Sequence, residues 1–248
     1  MTGDPRQADT GAAQALLHQA TLLKSGAVRL SAMTAPEVCV LGAMTTSLID
    51  AGAWSWWTSA PPGRRAVLRE MAWQFLAYRQ LVTSEPAGRE ATGPGRVRVA
   101  PPAALIVAGR TRPAFIVLCR PGPTGEPEQT RMYGIGDQQS GVRTVLIEDA
   151  KTGPAGWAGP AYEFGLTSPV AAGRALARWA ASPGPDRCRL IDIHLPGTRD
   201  IRPASRITVA ASGGNLHVVC EPSRLNVTNP LPCDEDVLTS LLTHTLTP

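Results

Sequence analysis

The chain has 248 residues, 43% of them hydrophobic and 18% charged, which excludes a disordered chain and leaves room for one large domain or two small lobes. A formal net charge of +4 is a weak footprint for nucleic acid, and no apolar run reaches the roughly 18 residues that membrane insertion needs. The basic residues are 22 Arg and 2 Lys, which beside the abundant Ala, Gly and Pro reads as GC-rich coding bias rather than arginine chemistry.

Residues 1–9 are polar and read as a disordered tail, followed by a short amphipathic helix over 10–24 carrying Leu16, Leu17, Ala20 and Leu23. A strand is expected over 27–33. Thr34-Ala35-Pro36-Glu37 then has the form of a capping box, with Thr34 as N-cap and Glu37 reaching back, and opens a helix to about residue 49. Trp54, Trp56 and Trp57 precede Pro61-Pro62-Gly63, after which a long helix is expected over 64–82. Its core stripe is Val67, Leu68, Met71, Ala72, Phe75, Leu76, Tyr78 and Val82; Trp73 points with Arg69 and Gln80 to the polar side. Residues 83–95 read as a loop or internal linker.

Beyond the linker the period becomes that of strands. A short strand over 96–100 and a helix over 102–110 lead into two versions of one module. The first has strands at 114–120, 130–135, 142–149 and 162–166 and a helix over 169–181. The second has strands at 188–194, 206–211, 216–221 and 225–228 and a helix over 234–246. In each, the second and third strands are joined by a tight polar turn suited to a β-hairpin. Ser168 before Pro169, and Asp234-Glu235-Asp236, are favourable helix starts. The fold class that follows is α/β (α+β): a largely antiparallel central sheet of pseudo-two-fold repeated strand–hairpin–strand–helix modules, with flanking helices.

Sharp catalytic signatures are missing from the sequence: it has no GxSxG elbow, HExxH pair or phosphate-binding loop, and Gly134-Ile135-Gly136…Gly141 is a hairpin turn. Five scattered cysteines without a CxxC pair fit reduced thiols, with Cys119, Cys188 and Cys220 as small buried hydrophobes. Asp192 and His194 share one strand face, and His217 and Glu221 share another. If those faces coincided, the four could bind a metal or perform acid–base work; the simpler account is the solvated faces of antiparallel strands. Arg64, Arg65 and Arg69 cluster at a helix start. A helix-turn-helix would need a turn of three or four residues there, whereas residues 51–63 supply thirteen. The aromatic group Trp54, Trp57 and Trp73 is the candidate partner-binding patch, since Trp73 lies off the core stripe.

Four segments together resemble the EspG family of type VII (ESX) secretion chaperones of actinobacteria: VRLSAMTAPEVCVLGAMTTSLIDAGAW, AVLREMAWQFLAYRQLV, VAPPAALIVAGRTRPAFIVLCR and YEFGLTSPVAAGRALARWAASPGP. They are similar to that family's opening strand and helix, its long Ala/Leu helix, its helix–Arg-Pro–strand passage and its strand–helix–Pro close. Members often end the long helix in Arg-Gly-Leu, where this chain has Arg79-Gln80-Leu81. The resemblance implies a tail and short helix over 1–26 and one α/β domain over 27–248. That domain would comprise a helical part (27–95) and two sheet modules (96–186 and 187–248). It also implies a non-catalytic cytoplasmic chaperone whose partner would be a helical, hydrophobic PE–PPE-like secretion substrate. From the residues themselves no metal or cofactor is expected, since His194 and His217 lack a third clustered His or Cys ligand, and the weak net charge and the lack of a long apolar run argue against nucleic-acid binding and membrane insertion. The alternative function is a metal-dependent or acid–base enzyme using Asp192, His194, His217 and Glu221.

Overall fold

The computed structural model describes residues 5–42, 57–84, 97–122, 130–137, 141–152, 160–182, 188–195, 203–212, 215–221 and 230–247. The chain begins with α1 (Pro5–Thr21), β1 (Val28–Thr34), α2 (Ala35–Val40), α3 (Pro62–Tyr78), β2 (Val82–Ser84), β3 (Val97–Val99) and α4 (Pro101–Thr111). The first module follows as β4 (Ile116–Arg120), β5 (Thr130–Asp137), β6 (Gly141–Thr152), β7 (Pro160–Thr167) and α5 (Pro169–Ala181). The second is β8 (Cys188–His194), β9 (Ser205–Ser212), β10 (Asn215–Glu221), β11 (Leu231–Cys233) and α6 (Glu235–Thr245). Nine strands form one sheet in the order β1-β7-β6-β5-β4-β8-β9-β10-β11, and β2 pairs with β3 in a second. The mixed α/β class with a large antiparallel sheet is thus as expected.

Two compact units divide the chain. One comprises Met1–Leu16, Leu30–Thr111 and Ala150–Phe164, the other Leu17–Arg29, Arg112–Asp149 and Gly165–Pro248. Strands β6 and β7 each give residues to both units. Helix α1 begins at Pro5, so part of the expected tail is helical; Pro at a first helical position is already set for the turn.

In the second unit the two modules meet at β4 and β8, which pair antiparallel with Val117 opposite Ile193 and Cys119 opposite Ile191. From that pair β5 and β6 continue outward on one side, and β9, β10 and β11 on the other. Alternation puts Val117, Cys119, Met132 and Val145 of one module on the same face as Ile191, Ile193, Ile207, Val209 and Val218 of the other. Ala172, Leu176, Ala177 and Ala180 of α5, with Leu238, Leu242 and Leu246 at α6, cover that face. The helices also touch each other: a Cβ built on Gly173 would lie 2.8 Å from the Thr243 backbone nitrogen. Their starts are capped as the sequence indicates, Ser168 Oγ accepting from Ala171 N–H at 3.0 Å and Asp234 Oδ1 from Val237 N–H at 2.8 Å. The repeated order is therefore a spatial repeat. Two details differ. Val237, expected in the α6 stripe, is exposed, and the strand hydrogen-bonded beyond β10 is β11, whereas 225–228 lie outside the described residues.

In the first unit, α3 packs against α2, and its end explains the Arg79-Gln80-Leu81 triplet. The helix stops at Tyr78, four residues before its expected end, because Gln80 takes a left-handed φ of 59° and Val82 joins β2. Leu81 N–H bonds Leu76 C=O at 2.9 Å and Gln80 N–H bonds Ala77 C=O at 2.9 Å, the paired bonds of a Schellman close. Leu81 and Leu76 are both buried, supplying the apolar contact that accompanies it. Arg79 donates to Glu37 and to the Ala32 carbonyl, while Glu37 Oε2 accepts from Thr34 N–H at 2.7 Å and from Thr34 Oγ1–H at 3.1 Å. The capping box thus opens α2 and also anchors the end of α3.

Two stability changes follow. Gly173→Ala drives a methyl into backbone that a rotamer change cannot clear, and should cost about 1–3 kcal/mol in urea unfolding; an unchanged midpoint would show that the α5–α6 crossing is looser than described. Gln80→Gly removes the steric cost of a side chain at positive φ, partly offset by a floppier unfolded chain, and should raise stability by about 0.5–1 kcal/mol. A destabilised Gln80→Gly would mean that the glutamine side chain, not the turn, matters there.

Candidate functional site

Helix α3 carries the candidate site, and its local chemistry is uneven along its length. Pro61 and Pro62 start it, with Arg65 N–H bonded to Pro61 C=O at 2.9 Å, and its first turn holds no acidic residue. Its C-terminal half is fixed by burial of Ala72 and Leu76 and by the Arg79–Glu37 pair. Burying Leu76 contributes about 1.5–3 kcal/mol.

The expected core stripe splits in two. Ala72 and Leu76 are buried and Leu68 is half-buried, but Val67 is 59% exposed, Met71 36%, Phe75 43% and Tyr78 86%. Those four positions, spaced i, i+4, i+8 and i+11, form one continuous exposed apolar stripe about 16 Å long at 1.5 Å per residue. The sequence signal was available in the width of the pattern. At 100° per residue the eight proposed core positions spread over about 180° of the helix, more than a helix packed on one side can bury.

The tryptophans stand elsewhere. Trp57, expected in an exposed patch, is buried at 9% exposure, which removes its ring from any such surface. Trp73 is half-buried on the flank of α3 away from the exposed stripe, and Trp54 lies outside the described residues. The apolar surface on this unit is therefore aliphatic and aromatic residues of α3, with Arg64 exposed at its N-terminal end and Glu70 hydrogen-bonded to Gln74 at 3.0 Å along one edge.

The alternative acid–base set lies in the second unit, on the sheet face away from α5 and α6. Asp192, His194, His217 and Glu221 do share that face, as alternation requires, but the register separates them. Arg206 pairs with Asp192 on one side and with Glu221 on the other, so a cation stands between the carboxylates. Ala210 faces both Cys188 and His217, which places His217 about 20 Å along the strands from His194 at 3.3 Å per residue. Asp192 is buried and accepts from Arg206 Nε at 2.6 Å, Arg206 Nη2 at 3.1 Å and Arg120 Nε at 3.1 Å. Glu148 on the same face is buried too, accepting from Arg131 Nη1 at 3.0 Å and from Tyr133 O–H at 2.9 Å. In the first unit Arg110 is itself buried, its guanidinium 5.3 Å from the Tyr162 ring centroid and 5.8 Å from that of Phe164. Arginine chemistry thus holds the buried acids, which overturns the reading of the arginines as composition alone.

Among the described residues no group of three or more His, Cys, Asp and Glu is placed to hold a metal, and no helix is long and apolar enough to cross a membrane. Cys119 is buried in the helix-covered core, with Cys220 packed partly against it. Cys188, expected as a buried hydrophobe, is half-buried on the opposite face. Burial pushes the Cys220 thiol up, and burial with the Asp234 carboxylate does the same for Cys233, so neither is tuned as a nucleophile. Compared with protein-family models, with curated proteins and with solved structures, the chain matches none.

His194 generates a pH prediction. Burial holds its imidazole below the usual value of 6.5; Asp192 opposes this, and Arg120 and Arg206 reinforce it. Above that value both folded and unfolded chains carry a neutral ring and stability is full. As pH falls through 6.5 the unfolded chain takes up a proton that the folded chain refuses, so stability declines until the lowered folded value is reached. His194→Leu should flatten this part of the stability–pH curve; an unchanged slope would place the titration elsewhere.

Proposed function

We propose that the chain is a non-catalytic adaptor of the type VII (ESX) secretion kind, a cytoplasmic chaperone that binds a helical, hydrophobic PE–PPE-like client and keeps it soluble. The observation that carries this reading is the exposed stripe Val67, Met71, Phe75 and Tyr78 on a helix whose C-terminal end is firmly anchored. Contiguous exposed apolar surface on a folded chain is costly for solubility and marks interaction sites. A rigid helix bearing it suits docking of another helix through complementary ridges. The duplicated α/β sheet with helices on one face is further support, since it is the architecture that the family resemblance implies.

The test is co-expression with a tagged PE–PPE pair from an actinobacterium, followed by size-exclusion chromatography with light scattering. A complex containing the chain is expected. Met71→Glu should weaken it at least tenfold, which corresponds to about 1.4 kcal/mol. The same variant should leave the melting temperature within about 2 °C, as a surface change does. Absence of any complex, or a complex indifferent to Met71→Glu, would sink the reading.

A further inference from the structure

We infer that the end of β8 at His194 is an acid-operated latch. It stays closed while the imidazole is neutral and opens locally, without unfolding the second unit, when the ring takes up a proton. The surroundings of the ring are the first support. His194 is 7% exposed, and its Nε2 is buried with no hydrogen-bond partner among the described residues. On β4 the register sets it opposite buried Ile116; next in that row is buried Tyr133, whose hydroxyl donates to Glu148. A neutral ring is tolerable in such a place. An imidazolium adds a full charge there and leaves Nε2–H a charged donor without an acceptor.

The charges on the same face supply no counter-ion for it. Asp192, two residues back on β8, favours the charged ring, while burial, Arg120 of β4 and Arg206 of β9 oppose it. Both Asp192 oxygens are already engaged. Oδ1 accepts from Arg206 Nε at 2.6 Å, and Oδ2 accepts from Arg206 Nη2 and Arg120 Nε, each at 3.1 Å. One carboxylate between two guanidiniums leaves a surplus positive charge before His194 is counted. The other acids of the face are matched in turn, Glu148 with Arg131 and Glu221 opposite Arg206. Arg120 and Arg206 lean partly into solvent, which weakens their repulsion of an imidazolium without removing it.

The position of the ring in the ladder makes the response local. His194 is the last residue of β8, and its pairing with Ile116 stands at the end of that register. Beyond the Ile193–Ser205 pair, the described backbone bond at this end runs from Ala204 N–H to Ile193 C=O, at 2.8 Å. Releasing His194 therefore breaks few hydrogen bonds, and strand ends open at lower cost than strand centres. Ile191 and Ile193, buried beneath α5 and α6, keep the rest of the strand seated. In the open form the ring titrates at its ordinary 6.5, so the open population grows with acidity below that value until the closed ring itself protonates.

The experiment is hydrogen exchange of the full chain, read by mass spectrometry at about pH 7.5, 6.5 and 5.5, with labelling times scaled for the intrinsic chemistry. Peptides covering the end of β8 and the start of β9 should lose protection about fivefold between pH 6.5 and 5.5, and less than about twofold between 7.5 and 6.5. Peptides of β5, β6 and α5 should keep theirs. His194→Phe, which keeps an uncharged ring, should abolish the local step. Protection lost evenly through the unit, the same local step in His194→Phe, or no step at all would overturn the latch. Should the Phe variant fail to fold, the wild-type chain decides: the His194 Cε1–H resonance should titrate below 6.5, and a midpoint at or above that value overturns the inference.

Discussion

The antiparallel pairing of β4 with β8 is the contact on which the second unit depends. It joins the two modules at their first strands, so every later strand of each module adds outward from a shared centre. It also decides the faces. Once Val117 is opposite Ile193, alternation sends the apolar residues of both modules to one side and leaves α5 and α6 a common surface to cover. The close approach of Gly173 to Thr243 then lets the two helices share that surface.

The opposite face follows a different rule. There the modules place Asp192 and Glu148 where water hardly reaches, and such carboxylates are tolerable only with charged donors in reach. Arg120, Arg206 and Arg131 supply them from adjacent strands. In the first unit the same logic joins Arg79 to buried Glu37, and that pair fixes the end of α3 against the start of α2. The exposed stripe is held in place by this anchor rather than by burial of its own side chains.

Much of this architecture was legible in the residues because the signals are local. The Thr34/Glu37 capping box, the Ser168 and Asp234 caps, and the hairpin turns each act within a few residues. The two-residue alternation of the module strands identified the sheet for the same reason. What was not legible depends on distant partners. Which half of the α3 pattern turns inward is set by packing against α2, so Phe75 and Tyr78 looked like core. Gln80 gave no sign of a left-handed turn, since that conformation is usually marked by glycine. The sharing of one face by Asp192, His194, His217 and Glu221 was readable. The register that inserts Arg206 between the carboxylates was not, because it is fixed by pairings between β8, β9 and β10.

The central strand pair also carries a temporal consequence for a chain made from its N-terminus. Arg120 pairs with Leu190, so β4 emerges 70 residues before its neighbour. At translation rates of about 5–20 residues per second, that interval is roughly 4–14 s. Throughout it, the first module can complete β5, β6, β7 and α5 while the opposite edge of β4 still offers its backbone groups to any strand in reach. Val117 and Cys119 then lie beside an open edge, where pairing between nascent chains would compete with β8. Loop-closure cost over such a separation grows only slowly with length. The hazard is thus one of waiting time on the ribosome rather than of final stability, and slower decoding between the modules would lengthen it.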